Sequence, residues 1–275
     1  GNQLTGQEKA NKNVLLILCD DMGAMELGCY GNELNNTPNL DHLAEEGVRF
    51  RTFYATPVSS PTRVALMTGK YAYKTGWANM KGRDAGGAGS DADLATDEYT
   101  FGQMFQDNGY RTGFAGKWQL TGELPEMIIE CGFDRYLSWI YFGYLPDTVE
   151  YMGGLNPVAN KDKPARYWHP GLAKNGRHIA TEPGDYGPEI FSDFIIEFMD
   201  SSVQAGEPFF AYYPMVLMHK PWLWTPDHMD VDPNSDIAKR ANVEYTDKIV
   251  GKLMDALERL NIRKKTLVIF IGDNG

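Results

Sequence analysis

The stretch VLLILCDD at residues 14–21 decides the fold class. Its first five residues are all apolar, which is typical of a short β-strand that is covered on both faces of a sheet. Two carboxylates, Asp20 and Asp21, follow the strand directly. The run LVIFI at residues 267–271 has the same form and leads into the polar sequence GDNG at residues 272–275. We therefore expect two equivalent strand ends to carry chemistry, as is usual in open α/β sheets.

Helical patterns separate the apolar runs along the chain. The clearest helix is predicted over residues 236–260, where Ile249, Leu253 and Leu257 share one apolar stripe. Alternating strands and helices predict an α/β fold with a mostly parallel central sheet and helices on both faces. The other predicted strands lie at residues 48–54, 110–115 and 209–213, and the other predicted helices at residues 38–46, 64–67, 98–107 and 189–203.

The rest of the chain is predicted to be irregular. Residues 1–12 are polar, lack the pattern of a signal peptide, and are expected to form a flexible N-terminal tail. Residues 81–95 are rich in glycine and predict a flexible loop, while residues 120–188 predict long ordered loops. Because no linker clearly divides the remainder, residues 13–275 are interpreted as one domain.

Composition argues against several classes of protein. The chain has 275 residues, of which 43% are hydrophobic, and this is typical of a globular protein with a sizeable core. No run of about 18 apolar residues is present, so no membrane span is predicted. A net charge of −11 argues against nucleic acid as the main partner. The three cysteines lack CxxC spacing, which argues against a disulfide framework and a zinc site.

The polar residues that follow the two apolar runs form a candidate metal site. They offer three carboxylates and one amide oxygen: Asp20, Asp21, Asp273 and Asn274. Hard oxygen ligands of this kind suit calcium or magnesium. Each pair also has a purely structural interpretation, because aspartate after a strand often caps the next helix and Asn-Gly is a common turn.

A second candidate centre is the sequence SSPTR at residues 59–63, just before an apolar helical run. Ser59 is either a helix cap or a nucleophile at a helix N-terminus, where Arg63 lies one turn further on. Two more cations follow predicted strands: Lys117 in GYRTGFAGKW and His219 in HKPW. Such residues are often structural, but here they would concentrate positive charge for an anionic substrate in an acidic protein.

Taken in order, these motifs resemble the sulfatase family within the alkaline-phosphatase superfamily. Ser59, Pro61 and Arg63, followed by MTGKY, are similar to the family signature of Cys or Ser, any residue, Pro, any residue, Arg. TPNLDHLAEEGVRF at residues 37–50 resembles the segment ahead of the nucleophile, and GYRTGFAGKW resembles the second signature. The matches span nearly the whole chain, from about residue 13 to residue 275.

The resemblance implies a role for each candidate residue. Ser59 would be oxidised to formylglycine, whose hydrate attacks sulfur, and the modified residue would join the four oxygen ligands at a calcium or, alternatively, a magnesium ion. Arg63 would hold the hydrated aldehyde, and Lys117 would contact both the aldehyde and a sulfate oxygen. His219 would bind sulfate or protonate the leaving alcohol.

Two features depart from the family pattern. The family usually has histidine two residues after the signature lysine, where this chain has Gln119, which can donate a hydrogen bond to an anion but cannot titrate. Sulfatases also continue beyond the metal motif through further strands and a smaller C-terminal subdomain, so the resemblance implies that the domain at 13–275 lacks these parts. Lys220, beside His219, is a further and weaker candidate for substrate binding.

The resemblance also implies a substrate class, a partner and a compartment. The expected substrate is a sulfate ester of a saccharide or an aryl alcohol, and the aromatic-rich region 136–168 would supply stacking walls for a sugar or simply pack. Serine at position 59 resembles the bacterial type that a radical-SAM enzyme matures, in a periplasmic or exported protein. Two alternatives stay open: a phosphomonoesterase or phosphodiesterase that uses unmodified Ser59, and a catalytically dead anion-binding domain.

Overall fold

Seven strands form one mixed sheet in the computed structural model, which describes residues 12–77, 98–120, 126–140 and 165–275. The strands are β1 (Asn13–Cys19), β2 (Arg111–Gly116), β3 (Arg135–Trp139), β4 (Leu172–Lys174), β5 (Arg177–Ile179), β6 (Phe209–Pro214) and β7 (Thr266–Gly272). Their order is β5-β4-β3-β2-β6-β1-β7. The last five strands of that order are parallel, and β4 and β5 add an antiparallel hairpin at one edge. The prediction of a mostly parallel sheet is confirmed.

Helices cover both faces of this sheet. They are α1 (Pro38–Glu46), α2 (Ser59–Thr68), α3 (Ala72–Thr75), α4 (Phe101–Asp107), α5 (Glu126–Glu130), α6 (Gly187–Ala205) and α7 (Asp236–Arg259). Leu15 and Ile17 of β1 belong to the core shared with α1, α6 and α7, whereas Leu16 and Leu18 belong to the core shared with α2, α4 and α5. Because successive strand residues point to opposite faces, both faces of β1 are buried, as its continuous apolar sequence predicts.

Local signals explain where several helices begin. At α4, the Thr100 hydroxyl accepts a hydrogen bond from the Gln103 amide, and the Gln103 side chain accepts one from the Thr100 amide. This reciprocal capping box starts the helix a few residues after the predicted position. At α7, the Ser235 hydroxyl accepts a hydrogen bond from the amide of Ala238 at 3.1 Å.

The prediction of a strand at residues 48–54 is wrong. This segment is irregular, and its large apolar side chains are exposed, with Tyr54 89% exposed. The sequence has the composition of a strand, but a strand also needs a neighbour to complete its backbone hydrogen bonds. None of the described strands pairs with this segment.

The prediction of long loops over residues 120–188 is wrong in part. β3 lies in that region, and so does the β4–β5 hairpin. The hairpin turns at Asn175 and Gly176, which both have left-handed backbone conformations with φ of 48° and 79°. Asn-Gly is the usual sequence for such a turn, so the signal was present. Residues 1–11 of the predicted tail and the glycine-rich loop at 81–95 lie outside the described residues.

Candidate active site

The carboxyl ends of four parallel strands bring the predicted site residues together. Asp20 and Asp21 follow β1, and Asp273 follows the neighbouring strand β7, where Cys19 and Gly272 are paired. Lys117 follows β2, and His219 lies five residues after β6. The position agrees with the general rule for ligand sites in open α/β sheets.

Three carboxylates meet at this edge of the sheet. One carboxylate oxygen each from Asp20, Asp21 and Asp273 lies within 4.8 Å of the others, and Asp20 and Asp273 are fully buried. The Asp273 Oδ1 accepts hydrogen bonds from the Asp21 amide at 2.9 Å and from the Asn274 side chain at 3.1 Å. Burial raises the pKa of Asp273 above its usual range. This acidic cluster could hold a metal ion, and its oxygen donors fit a hard divalent cation.

The Ser59 hydroxyl contacts the acidic cluster and does not cap the helix. It is the first residue of α2, and the preceding cap position is Val58, which makes no side-chain capping bond. The Ser59 hydroxyl donates a hydrogen bond to Asp273 and accepts one from Arg63 Nε at 2.9 Å. The helical spacing of four residues explains why Arg63 reaches back to Ser59.

Arg63 connects the serine to the acidic cluster. Its side chain is 1% exposed, and its Nη2 lies 2.7 Å from Asp273 Oδ2 and 3.4 Å from Asp20 Oδ1. Nη1 donates to the Lys117 carbonyl oxygen at 3.2 Å. Burial alone would lower the pKa of Arg63, but the two carboxylates outweigh it and raise the pKa above the usual value. The guanidinium therefore remains charged between two buried anions.

Lys117 forms a second buried ion pair with Asp20. Its Nζ donates to both carboxylate oxygens at 2.7 Å and lies 3.5 Å from Ser59 Oγ. Burial lowers the pKa of Lys117 to about 8, although the charge of Asp20 opposes this shift. Burial would raise the pKa of Asp20, but Lys117 and Arg63 outweigh it and hold that pKa well below its usual range. Both groups are therefore charged near neutral pH.

Gly116 lets the chain turn toward the site just before Lys117. Its φ is +123°, and a β-carbon there would come within 1.9 Å of the Pro214 carbonyl oxygen. The Lys117 amide donates to the same carbonyl at 2.8 Å. A side chain at position 116 would therefore push β2 away from β6. This steric constraint explains why a glycine precedes Lys117.

His219 lies at the open side of the cluster. Its Nε2 is 3.5 Å from Asp21 Oδ2, and its Nδ1 is 2.5 Å from the Lys220 carbonyl oxygen. Burial lowers the pKa of His219, although Asp20 opposes the shift. The Tyr167 hydroxyl holds this loop by donating to the His219 carbonyl at 2.6 Å.

The two weaker candidates differ in position. The Lys220 side chain is exposed, and its Nζ lies 4.4 Å from the centre of the Trp222 ring. None of the described ion pairs joins Lys220 to the three clustered carboxylates. Gln119 adopts a left-handed backbone with φ of +50°, and its carbonyl oxygen lies 3.5 Å from Ser60 Oγ. Its Oε1 is buried and has no hydrogen-bond partner among the described residues.

Of the two interpretations of the aromatic region 136–168, sugar-stacking walls or packing, the described positions fit packing. Tyr136 and Trp139 are buried in the two cores, and Trp168 packs against one of them. Buried rings cannot stack on a ligand, so Tyr136 and Trp139 are packing residues. Tyr141, Tyr144 and Tyr151 lie outside the described residues.

Sequence reasoning missed two residues of the site. Tyr212 on β6 is buried, and this burial raises its pKa above the usual value, although the charge of Arg63 opposes the shift. Arg166 brings a further cation to Asp20, with Nη1 3.9 Å from Asp20 Oδ2. Neither belongs to a motif that ends a predicted strand, so only the folded chain brings them to the cluster.

Comparison with known proteins gives a consistent result. A family model described as Sulfatase matches residues 12–275. Arylsulfatase A of Bos taurus is 34% identical over 290 residues, which is 96% of this chain and 52% of that protein. N-acetylglucosamine-6-O-sulfatase of Bacteroides thetaiotaomicron is 27% identical over 238 residues, which is 86% of this chain and 36% of that protein.

The solved structures agree in fold. The structure described as Ps i-CgsB in complex with k-i-k-neocarrahexaose has a TM-score of 0.76 and 28% identity, and the match covers 96% of this chain and 59% of that one. A protein of the alkaline phosphatase superfamily from Vibrio parahaemolyticus has a TM-score of 0.59 at 18% identity, which is a likeness of fold alone. The chain spans about half the length of the bovine arylsulfatase A that it matches.

Proposed function

The chain belongs to the sulfatase family, and on this premise we propose that its protein hydrolyses sulfate esters at Ser59. The observation that carries the proposal is the position of the Ser59 hydroxyl. It lies between the Asp273 carboxylate and the Arg63 guanidinium, with Lys117 Nζ 3.5 Å away. A nucleophile in this position is beside both an acidic cluster for a cation and fixed positive charge for an anionic substrate.

We propose that the acidic cluster holds calcium, with magnesium as the alternative, and that Ser59 is converted to formylglycine. Asp20, Asp21 and Asp273 would be ligands, and Asn274 would join them through its amide oxygen. A bound cation would stabilise developing negative charge, and the modified residue at position 59 would supply the attacking hydroxyl. These ligand atoms are all oxygens, which favour a hard cation over a soft one.

The chain's own cations have separate proposed roles. Arg63 orients the group at position 59 through its Nε contact. Lys117, which is charged near neutral pH, offers its ammonium to a sulfate oxygen as negative charge develops there. His219 lies at the open side of the cluster, where its ring can reach the sulfate or the oxygen of the leaving alcohol. Gln119 and Lys220 are further proposed substrate-binding residues.

The proposed substrate is a sulfated saccharide or an aryl sulfate. This proposal is supported by the names of the relatives, which include an arylsulfatase and an N-acetylglucosamine-6-O-sulfatase. Because Ser59 occupies the position of the modified residue, we propose a radical-SAM maturing enzyme as a partner and an exported location in a bacterium. No helix in the described part of the chain has the length and apolar character needed to cross a membrane.

Matched aryl sulfate and aryl phosphate esters test the proposed function. Protein co-produced with a maturing enzyme should hydrolyse the sulfate ester, and mass spectrometry of the Ser59 peptide should show the loss of two hydrogens. Ser59→Ala should lower kcat at least about 10³-fold, because the attacking group is removed. The neighbouring variant Ser60→Ala is the matched control and should retain most activity.

Other outcomes would support the alternatives. Hydrolysis of the phosphate ester alone, with an unmodified serine, would favour the phosphatase alternative. Binding of sulfate without turnover in fully matured protein would favour an anion-binding domain. Supplying calcium and magnesium separately in the same assay identifies the cation that supports turnover.

A further inference from the structure

Arg166 is a largely buried cation beside the candidate site, and no recognised sequence motif marks it. Its side chain is 11% exposed, and its guanidinium lies over the Trp139 ring, 4.7 Å from the ring centre. The Trp139 ring is itself fixed, because its Nε1 donates to the Ala165 carbonyl at 3.0 Å. The stacking holds the planar guanidinium in one orientation, with Nη1 3.9 Å from Asp20 Oδ2.

Two nitrogens of the Arg166 guanidinium have no acceptor in the described part of the chain. Its Nε and Nη1 are buried and have no hydrogen-bond partner among the described residues. By contrast, Arg63 donates to Ser59, Asp273 and Lys117, and the Lys117 ammonium donates to Asp20. A buried charged donor without an acceptor is costly, so this arrangement suits a group that receives an acceptor from a ligand.

The charge of Arg166 acts on the groups of the site. It contributes to lowering the pKa of Lys117 and of His219, after the larger effects of burial. It also helps Lys117 and Arg63 to hold the pKa of Asp20 below its usual range. The geometry agrees, because Arg166 Nη1 and Lys117 Nζ both approach the Asp20 carboxylate, at 3.9 Å and 2.7 Å. Gln119 carries no charge at a position where the family usually has histidine. Another cation can therefore take part in binding the anionic substrate.

We propose that Arg166 is an oxyanion-binding residue of this site, donating Nε–H and Nη1–H to an anionic oxygen of the substrate. This inference rests on the proposed function, since it assumes a sulfated substrate at Ser59. The oxygen belongs either to the reacting sulfate group or to a second anionic group on the same substrate. Arginine suits both, because its planar fork matches the geometry of an oxyanion.

Equilibrium binding of two probes tests the proposal on the full chain. Inorganic sulfate carries one anionic group, and a disulfated disaccharide carries two. Calorimetry should show that Arg166→Met weakens the binding of at least one probe about 10- to 100-fold, because charge-assisted hydrogen bonds are lost. Arg166→Lys keeps the charge without the planar fork and should give a smaller loss. Arg177→Met is the control, because this exposed arginine on β5 undergoes the same change of charge outside the site.

Each outcome decides the inference. Equal weakening of both probes assigns Arg166 to the reacting sulfate, and weakening of the disaccharide alone assigns it to a second anionic group. Unchanged affinity for both probes, or wild-type protein that binds neither, overturns the inference. Thermal unfolding verifies that Arg166→Met is folded; if it is not, Arg166→Lys carries the same comparison with the same two results.

The test separates this inference from the proposed function, because binding does not require turnover. Wild-type protein that binds the probes through Arg166 but hydrolyses no sulfate ester removes the proposed hydrolysis and retains the inference. Conversely, a folded Arg166→Met variant with unchanged affinities and an active wild type removes the inference alone.

Discussion

Arg63 compensates two buried carboxylates at once. It lies 2.7 Å from Asp273 and 3.4 Å from Asp20, and all three side chains are almost inaccessible to water. Buried ion pairs gain little net stability over apolar packing, but removing one partner leaves an uncompensated charge in a low-dielectric environment. The site thus depends on Arg63 for stability as well as for the orientation of Ser59.

We expect Arg63→Met to destabilise the protein by about 3–5 kcal/mol, because Asp20 and Asp273 would remain buried without their shared cation. Urea-induced unfolding at neutral pH measures this change. Arg263→Met is the control, since Arg263 is partly exposed and its Glu46 partner lies 3.0 Å away at the surface. The control should cost about 1 kcal/mol or less. Equal losses in the two variants would contradict the assignment of a compensating role to Arg63.

The sequence was sufficient to identify the site residues that directly follow a strand. Asp20 and Asp273 come directly after apolar runs, so parallel strands must bring them to one edge of the sheet. Arg166 and Tyr212 carry no such signal. Arg166 lies outside every predicted strand, and Tyr212 lies inside one, where alternation gives a face but no partner. Their contacts depend on packing across elements, which local patterns do not encode.

Among the elements, α6 and α7 are linked by a partly buried charge cluster. Lys252 of α7 forms ion pairs with Glu189 and with Asp193, the latter at 2.7 Å, and the Tyr245 hydroxyl donates to Glu189 at 2.6 Å. Burial would raise the pKa of Glu189, but the hydrogen bonds from Lys252 and Tyr245 outweigh it and lower the pKa. The ionised form of Glu189 is therefore favoured in the folded state.

This shift makes the α6–α7 link sensitive to acid. Because the folded pKa of Glu189 is below the unfolded value, its contribution is complete above the unfolded pKa and is lost as pH falls through the folded pKa. We expect Glu189→Gln to lower the free energy of unfolding by about 1 kcal/mol at pH 7, with the difference from wild type shrinking below about pH 4.5. Chemical unfolding at a series of pH values between 7 and 3 measures this difference.

Glu197→Gln on the same helix is the matched control. Glu197 is more exposed, and its partner Arg135 lies 2.9 Å away at the surface. Its effect on the free energy of unfolding should be smaller, because an exposed ion pair contributes little. A difference between Glu189→Gln and wild type that stays constant down to pH 3 would rule out the ionised link.

Helices and strands could be predicted where the sequence of the segment itself determines its structure. The uninterrupted apolar sequence of β1 and the long apolar stripe of α7 depend on burial that any α/β arrangement provides. Residues 48–54 have equally suitable composition but no paired strand in the described chain, so their prediction failed. The β4–β5 hairpin was missed for the opposite reason: its strands have only three residues each, and the Asn-Gly turn was its main signal.

For the whole molecule, the two edges of the sheet differ. One edge ends in the short β5, whereas the other edge is the seven-residue strand β7, which pairs with β1 and with no other described strand. Leu267 on β7 is 52% exposed, and large apolar side chains of residues 48–54 are exposed as well. A long edge strand with apolar side chains presents unpaired backbone groups and is prone to pair with another chain.

We therefore expect this 275-residue chain to self-associate through the β7 edge as its concentration rises. Leu267→Lys should weaken the association about tenfold or more. It places a charge on the edge strand, and it replaces a leucine that association would bury. Sedimentation velocity over a range of concentrations measures the shift. Leu34→Lys is the control, since Leu34 is 70% exposed but precedes α1 in an irregular segment with no strand edge. Monomeric protein at every concentration, or equal effects of the two substitutions, would exclude association by edge pairing, because only Leu267 lies on an edge strand.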